Sequence, residues 1–327
     1  MYLNHVTGGV ASTSDHRAIR PGKNIHGVWV QPTPELVKGS IRERADKSGK
    51  GQVFDYQYKL TPHEKVVYSF HGSRRLRIAH PSAPLSPIRQ GIIDHSPDVK
   101  RLFFLKYRLS KLDLKERRST HTFPTVLVDA VAGYNYLVDD LGYTPRNIIL
   151  KGDSAGANLA LALARYLIEN PLPNLPPPGG LLLNCPWFDL SLSHITPGSS
   201  FLPKVPADIL APTKYGPGNS WSAVRAFAGM EKENLSILKA DTYISPACLD
   251  IPKIYFTNFP KTLIVAGGAE LFINATRTLY RQMSKDIGKR VELYEVPDVC
   301  HDFMALSQFD PDTTMSFKTM GEWISVV

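Results

Sequence analysis

The pentapeptide Gly152-Asp153-Ser154-Ala155-Gly156 constrains the fold of this chain more than any other stretch. Before it stands Asn147-Ile148-Ile149-Leu150-Lys151, short, apolar and β-branched, opened by the turn signal Pro145-Arg146-Asn147. After it, Asn158 to Ile168 is rich in Ala and Leu and favours helix. A strand must therefore turn sharply into a helix at Ser154. Such a turn strains the serine backbone and lifts its Oγ clear of the sheet, as a nucleophile elbow does. Glycines two positions to either side fit because a Cβ there would strike the neighbouring strand or helix. The amide of Ala155 stands at the helix N-terminus, where free N–H groups and the dipole favour developing negative charge. A Gly-rich turn carrying an inert surface serine is the bland alternative, and the strand before and helix after argue against it.

The same alternation runs through most of the chain. Lys65 to Phe70 reads as a buried strand ending in His71-Gly72-Ser73, and Leu102 to Leu109 as another. Between Phe123 and Leu141 the apolar residues Leu127, Val131, Tyr134, Val138 and Leu141 keep helical spacing. Beyond the elbow helix a proline-rich link, residues 170–180, leads to a strand at Leu181 to Cys185. Lys261 to Ala266 is a strand running into Gly267-Gly268-Ala269-Glu270. A helix follows with Phe272, Ala275, Leu279 and Met283 on one face. Val291 to Val296 is the last strand, ending towards His301, and a helix from Thr313 to Ile324 closes the chain. This pattern predicts an α/β fold: a mostly parallel sheet with helices on both faces.

Two regions do not follow the pattern. Residues 1–50 are polar and irregular, with one amphipathic helix expected over Pro34 to Ala45, and are read as an N-terminal cap or lid segment. Val53 to Leu60 alternates like an edge strand. Residues 194–258 carry no sheet signal, two short helices near Ala223 and Leu235, and scattered aromatics; they are read as a cap inserted in a single α/β domain spanning 51–327.

Composition limits the classes. A chain of 327 residues, 43% hydrophobic, can bury a large core. It contains no apolar run of 18 residues and no signal-peptide hydrophobic stretch at Met1 to His5, so a cytoplasmic location is expected. Three scattered cysteines, Cys185, Cys248 and Cys300, suggest buried free thiols and supply neither a disulfide framework nor a zinc motif. The formal charge of +8 is dispersed, apart from Arg74-Arg75-Leu76-Arg77 and the stretch Lys100 to Arg118, and no nucleic-acid motif accompanies it. A peripheral membrane contact stays open, and the oligomeric state is not read from the sequence.

Three groups fall just after strand ends: Ser154, Glu270 and His301. In a parallel sheet those ends share one edge, so the three can meet. Ser154 Oγ needs a base, which an imidazole titrating near neutrality provides. The histidine needs a carboxylate to fix its tautomer and stabilise the imidazolium. Glu270 is the candidate; Asp298 and Asp302 flank the histidine and could replace it. Asp153 and Asp129 are expected to be structural.

Taken together, His71-Gly72, Tyr107-Arg108-Leu109, Phe123-Pro124, Gly152 to Gly156, Pro186-Trp187-Phe188-Asp189-Leu190-Ser191, Gly267 to Glu270 and His301-Asp302-Phe303 resemble the hormone-sensitive-lipase-like branch of the α/β-hydrolases, most closely its fungal esterase-like members. The resemblance covers roughly residues 50 to 325. It implies an eight-stranded sheet, a cap built partly from the N-terminus, and hydrolysis of small-molecule carboxylic esters of small or medium acyl groups through an acyl-enzyme, with no cofactor and no metal. It implies Ser154 as nucleophile, His301 as base and Glu270 as acid, where the family usually has Asp. Gly72, Ser73 and Ala155 would then form the oxyanion hole. The sequence departs from the family at that loop, reading His71-Gly72-Ser73-Arg74 where the family has His-Gly-Gly followed by Gly or Ala, and at Asn274, where an acidic residue is usual. Two other classes are compatible: a non-catalytic relative that binds a ligand or partner, and an acyltransferase using the same serine.

Overall fold

The computed structural model describes residues 26–30, 43–45, 52–54, 63–72, 86–113, 115–116, 118–199, 208–210, 218–229 and 236–327. Its centre is a sheet of seven strands: β1 (His26–Val30), β4 (Lys65–Phe70), β5 (Val99–Lys106), β8 (Ile148–Asp153), β9 (Gly180–Asn184), β10 (Lys261–Gly267) and β11 (Val291–Val296). The spatial order is β1-β5-β4-β8-β9-β10-β11. Only β1 runs antiparallel to its neighbour; every other pairing is parallel. Strand order reverses between β4 and β8, the place where open α/β sheets gather their ligands.

Strand periodicity divides the core into two. Val66, Tyr68, Phe70, Ile148, Leu150, Leu181, Leu183 and Ile264 face one side. There they pack with residues of α2 (Thr125–Asn135), α3 (Ala155–Glu169) and α5 (Ile273–Ile287). Val67, Leu102, Phe104, Ile149, Leu182, Leu263 and Val265 face the other. Their partners include Ile88 and Ile92 of α1 (Ser86–His95) and Phe317, Met320 and Trp323 of α6 (Asp312–Ser325). Alternate residues of one strand thus serve opposite helical layers, which explains why these strands read as continuous apolar runs. Close helix packing explains two glycines: a Cβ on Gly321 would lie 1.8 Å from His95 O, and one on Gly91 2.4 Å from the Phe317 ring.

Several expectations need revision. His26–Val30 lies within the segment read as a lid, yet it is the antiparallel edge strand of the main sheet. The helix expected over residues 34–45 lies outside the described residues except for Glu43–Ala45, which form β2. β2 pairs in a separate two-stranded ribbon with β3 (Gln52–Phe54), so the expected edge strand at Val53 to Leu60 is described only at its start. Among the described residues the sheet has seven strands. Helix α1 was not expected at all. Within the cap region, α4 (Gly218–Ala228) coincides with the helix expected near Ala223, and a single 3₁₀ turn, Ile237–Lys239, with that near Leu235. Helix α4 packs on a hairpin of β6 (Lys111–Asp113) and β7 (Arg118–Thr120), where Ser119 Oγ donates to Arg225 O.

Candidate active site

Ser154 follows β8 directly, with φ 55° and ψ −117°, and its amide donates to Asn184 O. That left-handed conformation costs a non-glycine residue on the order of 1–3 kcal/mol and is characteristic of functional turns. The flanking glycines are needed for the reason the sequence suggests. A Cβ on Gly152 would lie 2.1 Å from Gly156 O, and one on Gly156 2.4 Å from Phe70 O. The Ala155 amide opens α3, so it is among the N–H groups that a helix leaves without an intrahelical acceptor. Gly72 closes over the same point: a Cβ built there would lie 3.3 Å from Ser154 Cβ and 4.0 Å from its Oγ. The His71 ring stacks on Tyr107 with centroids 4.3 Å apart, and the Tyr107 hydroxyl donates to His71 O, which fixes the start of this loop. Ser73 and Arg74 lie outside the described residues.

Glu270 and His301 meet. The His301 Nδ1 to Glu270 Oε2 distance is 3.2 Å, and both side chains are buried. Each comes from a turn after a strand end, Glu270 after β10 and His301 after β11, whose termini Gly267 and Val296 are paired in register. Phe272 packs edge-on against the His301 ring at 5.6 Å and stacks on Trp187, whose amide donates to Ser154 O. Ser154 and His301 are therefore on one sheet edge. No hydrogen bond joins Ser154 Oγ to His301 among the described residues. Instead His301 Nε2 lies 3.6 Å from Asp302 Oδ2. Asp298 is exposed in its turn, and among the described residues no hydrogen bond or ion pair joins it to His301.

The electrostatics follow from burial and from the number of carboxylates. Burial alone would lower the His301 pKa, but Asp302, Glu270 and Asp208 together raise it to about 9. Burial also raises the Glu270 carboxyl, with His301 opposing, and raises Asp302 to about 6. These carboxylates favour the imidazolium form of His301 over the neutral imidazole.

Sequence reasoning missed two neighbours. Asp208, in the cap region, accepts from the Leu271 amide at 2.6 Å and so ties that region to the Glu270 turn. Cys185, the first residue after β9, faces Glu270 and Asp302; burial and these carboxylates push its thiol pKa well up. Its place as the last residue of the strand read at Leu181 to Cys185 was the available signal. The residues expected to be structural are so. Asp129 accepts from Arg108 at 2.6 Å, and Asp153 pairs with the buried Lys151 and accepts from Asn184 Nδ2 at 3.1 Å.

A serine at positive φ between strand and helix thus shares one edge of a parallel sheet with a buried Glu–His pair that follows the last two strands. A sequence profile of the α/β-hydrolase fold matches residues 117–305, more than half of the chain, and the chain belongs to that family. It is 28% identical over 206 residues to the esterase LipU of Mycobacterium tuberculosis, a match covering 62% of each chain. It is 30% identical to an acetyl-hydrolase of Streptomyces hygroscopicus, covering 62% of this chain and 60% of that one. The matches thus span less than two thirds of these relatives' lengths. Among solved structures, a hormone-sensitive lipase from a metagenome library superposes with a TM-score of 0.61 at 28% identity, over 80% of this chain and 78% of that one. The metagenomic hormone-sensitive-lipase homologue EstE7 does so with 0.61 at 27% identity, over 84% and 81%. The resemblance to the hormone-sensitive-lipase-like branch is borne out by these likenesses. Among the described residues no helix is long and apolar enough to cross a membrane.

Proposed function

We propose that this protein hydrolyses small-molecule carboxylic esters through an acyl-enzyme on Ser154. The observation that carries the reading is the buried Glu270–His301 pair at 3.2 Å, on the sheet edge where Ser154 stands at positive φ. Ser154 Oγ attacks the acyl carbonyl while neutral His301 takes its proton at Nε2. The Ala155 amide, with those of Gly72 and Ser73, receives the oxyanion. Collapse of the tetrahedral intermediate expels the alcohol, which takes the proton back from His301; water then repeats the sequence on the acyl group. Glu270 holds Nδ1 and offsets the imidazolium charge. No step calls for a metal or cofactor.

A cavity of about 90 Å³ supports the small end of the acyl range. It lies beside Ala155, with Tyr107, Phe123, Val126, Leu159, Ala162 and Phe227 in its wall. An apolar cavity of roughly 150 Å³ takes a benzene ring, so by volume this one takes about three or four carbons. Residues 194–258 act as the cap, since α4 contributes Ala223, Ala226 and Phe227 to the wall. Three buried free thiols fit a reducing, cytoplasmic setting.

The test is labelling by a fluorophosphonate probe together with hydrolysis of p-nitrophenyl acetate and butyrate. Wild-type protein should react with both, and Ser154→Ala should lose labelling and at least about 10³-fold in kcat. A wild-type protein inert to probe and esters would favour the non-catalytic, ligand-binding alternative.

A further inference from the structure

We propose that the site binds Zn²⁺ as an inhibitory ion, through Cys185 Sγ, His301 Nε2 and an Asp302 carboxylate oxygen. One ligating atom from each of these residues lies within 4.8 Å of the others. The spread exceeds the ligand–ligand edge of a zinc tetrahedron, roughly 3.3–3.8 Å for bonds of about 2.0–2.3 Å. The Asp302 Oδ2 to Nε2 separation, 3.6 Å, already falls within that range. To reach that edge at the remaining pairs, the Cys185 and Asp302 side chains would have to rotate toward the imidazole.

Three further observations favour a cation here. The first is the orientation of the imidazole. A metal-bound histidine usually gives its other ring N–H to a carboxylate, which fixes the tautomer and turns the free nitrogen to the ion. Glu270 on Nδ1 provides that second carboxylate. The second is unmet hydrogen-bonding capacity: Asp302 Oδ1 is buried with no hydrogen-bond partner among the described residues. The third is charge: the carboxylates of Glu270 and Asp302 flank the imidazole at 3.2 Å and 3.6 Å, and Asp208 reaches the Glu270 turn through the Leu271 amide. A thiol–imidazole–carboxylate set selects a borderline-soft ion such as Zn²⁺ or Cd²⁺ over Mg²⁺ or Ca²⁺. Binding converts the Cys185 thiol to thiolate and releases its proton, and that of Nε2 if present, to solvent. A water fills the fourth position. On the proposed esterase reading, the ion inhibits because it occupies the Nε2 lone pair that must accept the Ser154 proton.

The experiment has a binding arm and an activity arm. Chelator-treated protein, rendered catalytically silent by Ser154→Ala, is titrated with Cd²⁺, and the thiolate-to-cadmium charge-transfer absorbance is followed. One equivalent should bind with that band. Cys185→Ser should abolish the band, and Asp302→Asn should weaken binding at least about tenfold. In the Ser154 protein, micromolar Zn²⁺ should inhibit p-nitrophenyl acetate hydrolysis reversibly with EDTA, and either substitution should raise the inhibitory concentration at least about tenfold. A band that is absent, or that persists in Cys185→Ser because Cys248 or Cys300 supplies it, overturns the proposal. Equal zinc sensitivity in wild type and Asp302→Asn also overturns it, and this variant decides the matter should Cys185→Ser fail to fold. A protein that forms the band but never hydrolyses esters or takes the fluorophosphonate leaves the metal site standing and removes the esterase reading.

Discussion

His301 Nε2, the nitrogen that would receive the Ser154 proton, faces Asp302 Oδ2 at 3.6 Å, while Glu270 holds Nδ1 on the other side of the ring. The imidazole therefore sits between two carboxylates, and Asp302 itself adopts a left-handed backbone at φ 51° to be there. This arrangement stabilises imidazolium, which can act as an acid but not as the base that acylation needs.

A pH profile follows with a definite sign. Burial would lower the His301 pKa, yet Asp302, Glu270 and Asp208 outweigh it and hold the group at about 9. The base form is deprotonated, so kcat/KM measured in chelator-treated buffer should rise with pH through an apparent pKa near 9. Removing the Asp302 charge by Asp302→Asn should move that limb toward neutrality and raise activity at pH 7. A wild-type limb at roughly 6–7, the unperturbed histidine range, would show that the carboxylates do not act this way.

Glu270 and Asp302 should then respond in opposite directions. Glu270→Gln keeps the shape of the side chain but removes the charge that stabilises imidazolium during acylation, and should cost roughly 10²–10⁴-fold in kcat. Asp298→Asn, in an exposed turn, should change little. Steady-state kinetics of the three variants on one ester checks the assignment; a Glu270→Gln enzyme near wild-type turnover would transfer the orienting role elsewhere.

The elbow makes a stability prediction. Gly152→Ala and Gly156→Ala would each set a Cβ against main-chain oxygen, at 2.1 Å and 2.4 Å, and main chain cannot step aside as a flexible side chain can. Each should destabilise by at least about 3 kcal/mol, the upper range for overpacked cores. Gly72→Ala, whose Cβ would lie 3.3 Å from Ser154 Cβ, should keep the fold and lose activity. Thermal melts of the three proteins distinguish these cases, and a Gly152→Ala protein melting like wild type would contradict the packing argument.

What the sequence made legible was set by how local its signals are. Lys65–Phe70 and Val291–Val296 read true to their ends because each runs straight into a turn signal, His71-Gly72 in one case and Pro297-Asp298 in the other. The positions of Ser154, Glu270 and His301 followed from strand ends in a parallel sheet. Helix α1 escaped because Pro87, Arg89, Gly91 and Asp94 blur its periodicity, and the need for glycine at 91 comes from Phe317, far away in the chain. Strand β1 escaped because its place is set by pairing with β5, some 75 residues on, rather than by its own composition. Asp208 and Cys185 belong to no motif, and only the folded edge brings them to His301 and Glu270.

The cavity beside Ala155 yields the last prediction. Ala162 is buried on α3 and lines this space opposite residues of α4, so a longer side chain at 162 grows into it. At about 90 Å³ the cavity accommodates a butyryl chain and little more. Ala162→Leu should fill much of it. Hydrolysis of the acetyl ester, which places only a methyl group beyond the carbonyl, should change less than about threefold. The butyryl ester should lose roughly 10–200-fold in kcat/KM, the range that a misfit of one or two methylenes commands in an apolar pocket. Fluorophosphonate labelling with a small alkyl probe reports that the nucleophile is intact, and a thermal melt that the core tolerates the change. If acetyl and butyryl esters decline together while labelling persists, the acyl chain lies elsewhere and the cavity is a packing defect between α2, α3 and α4.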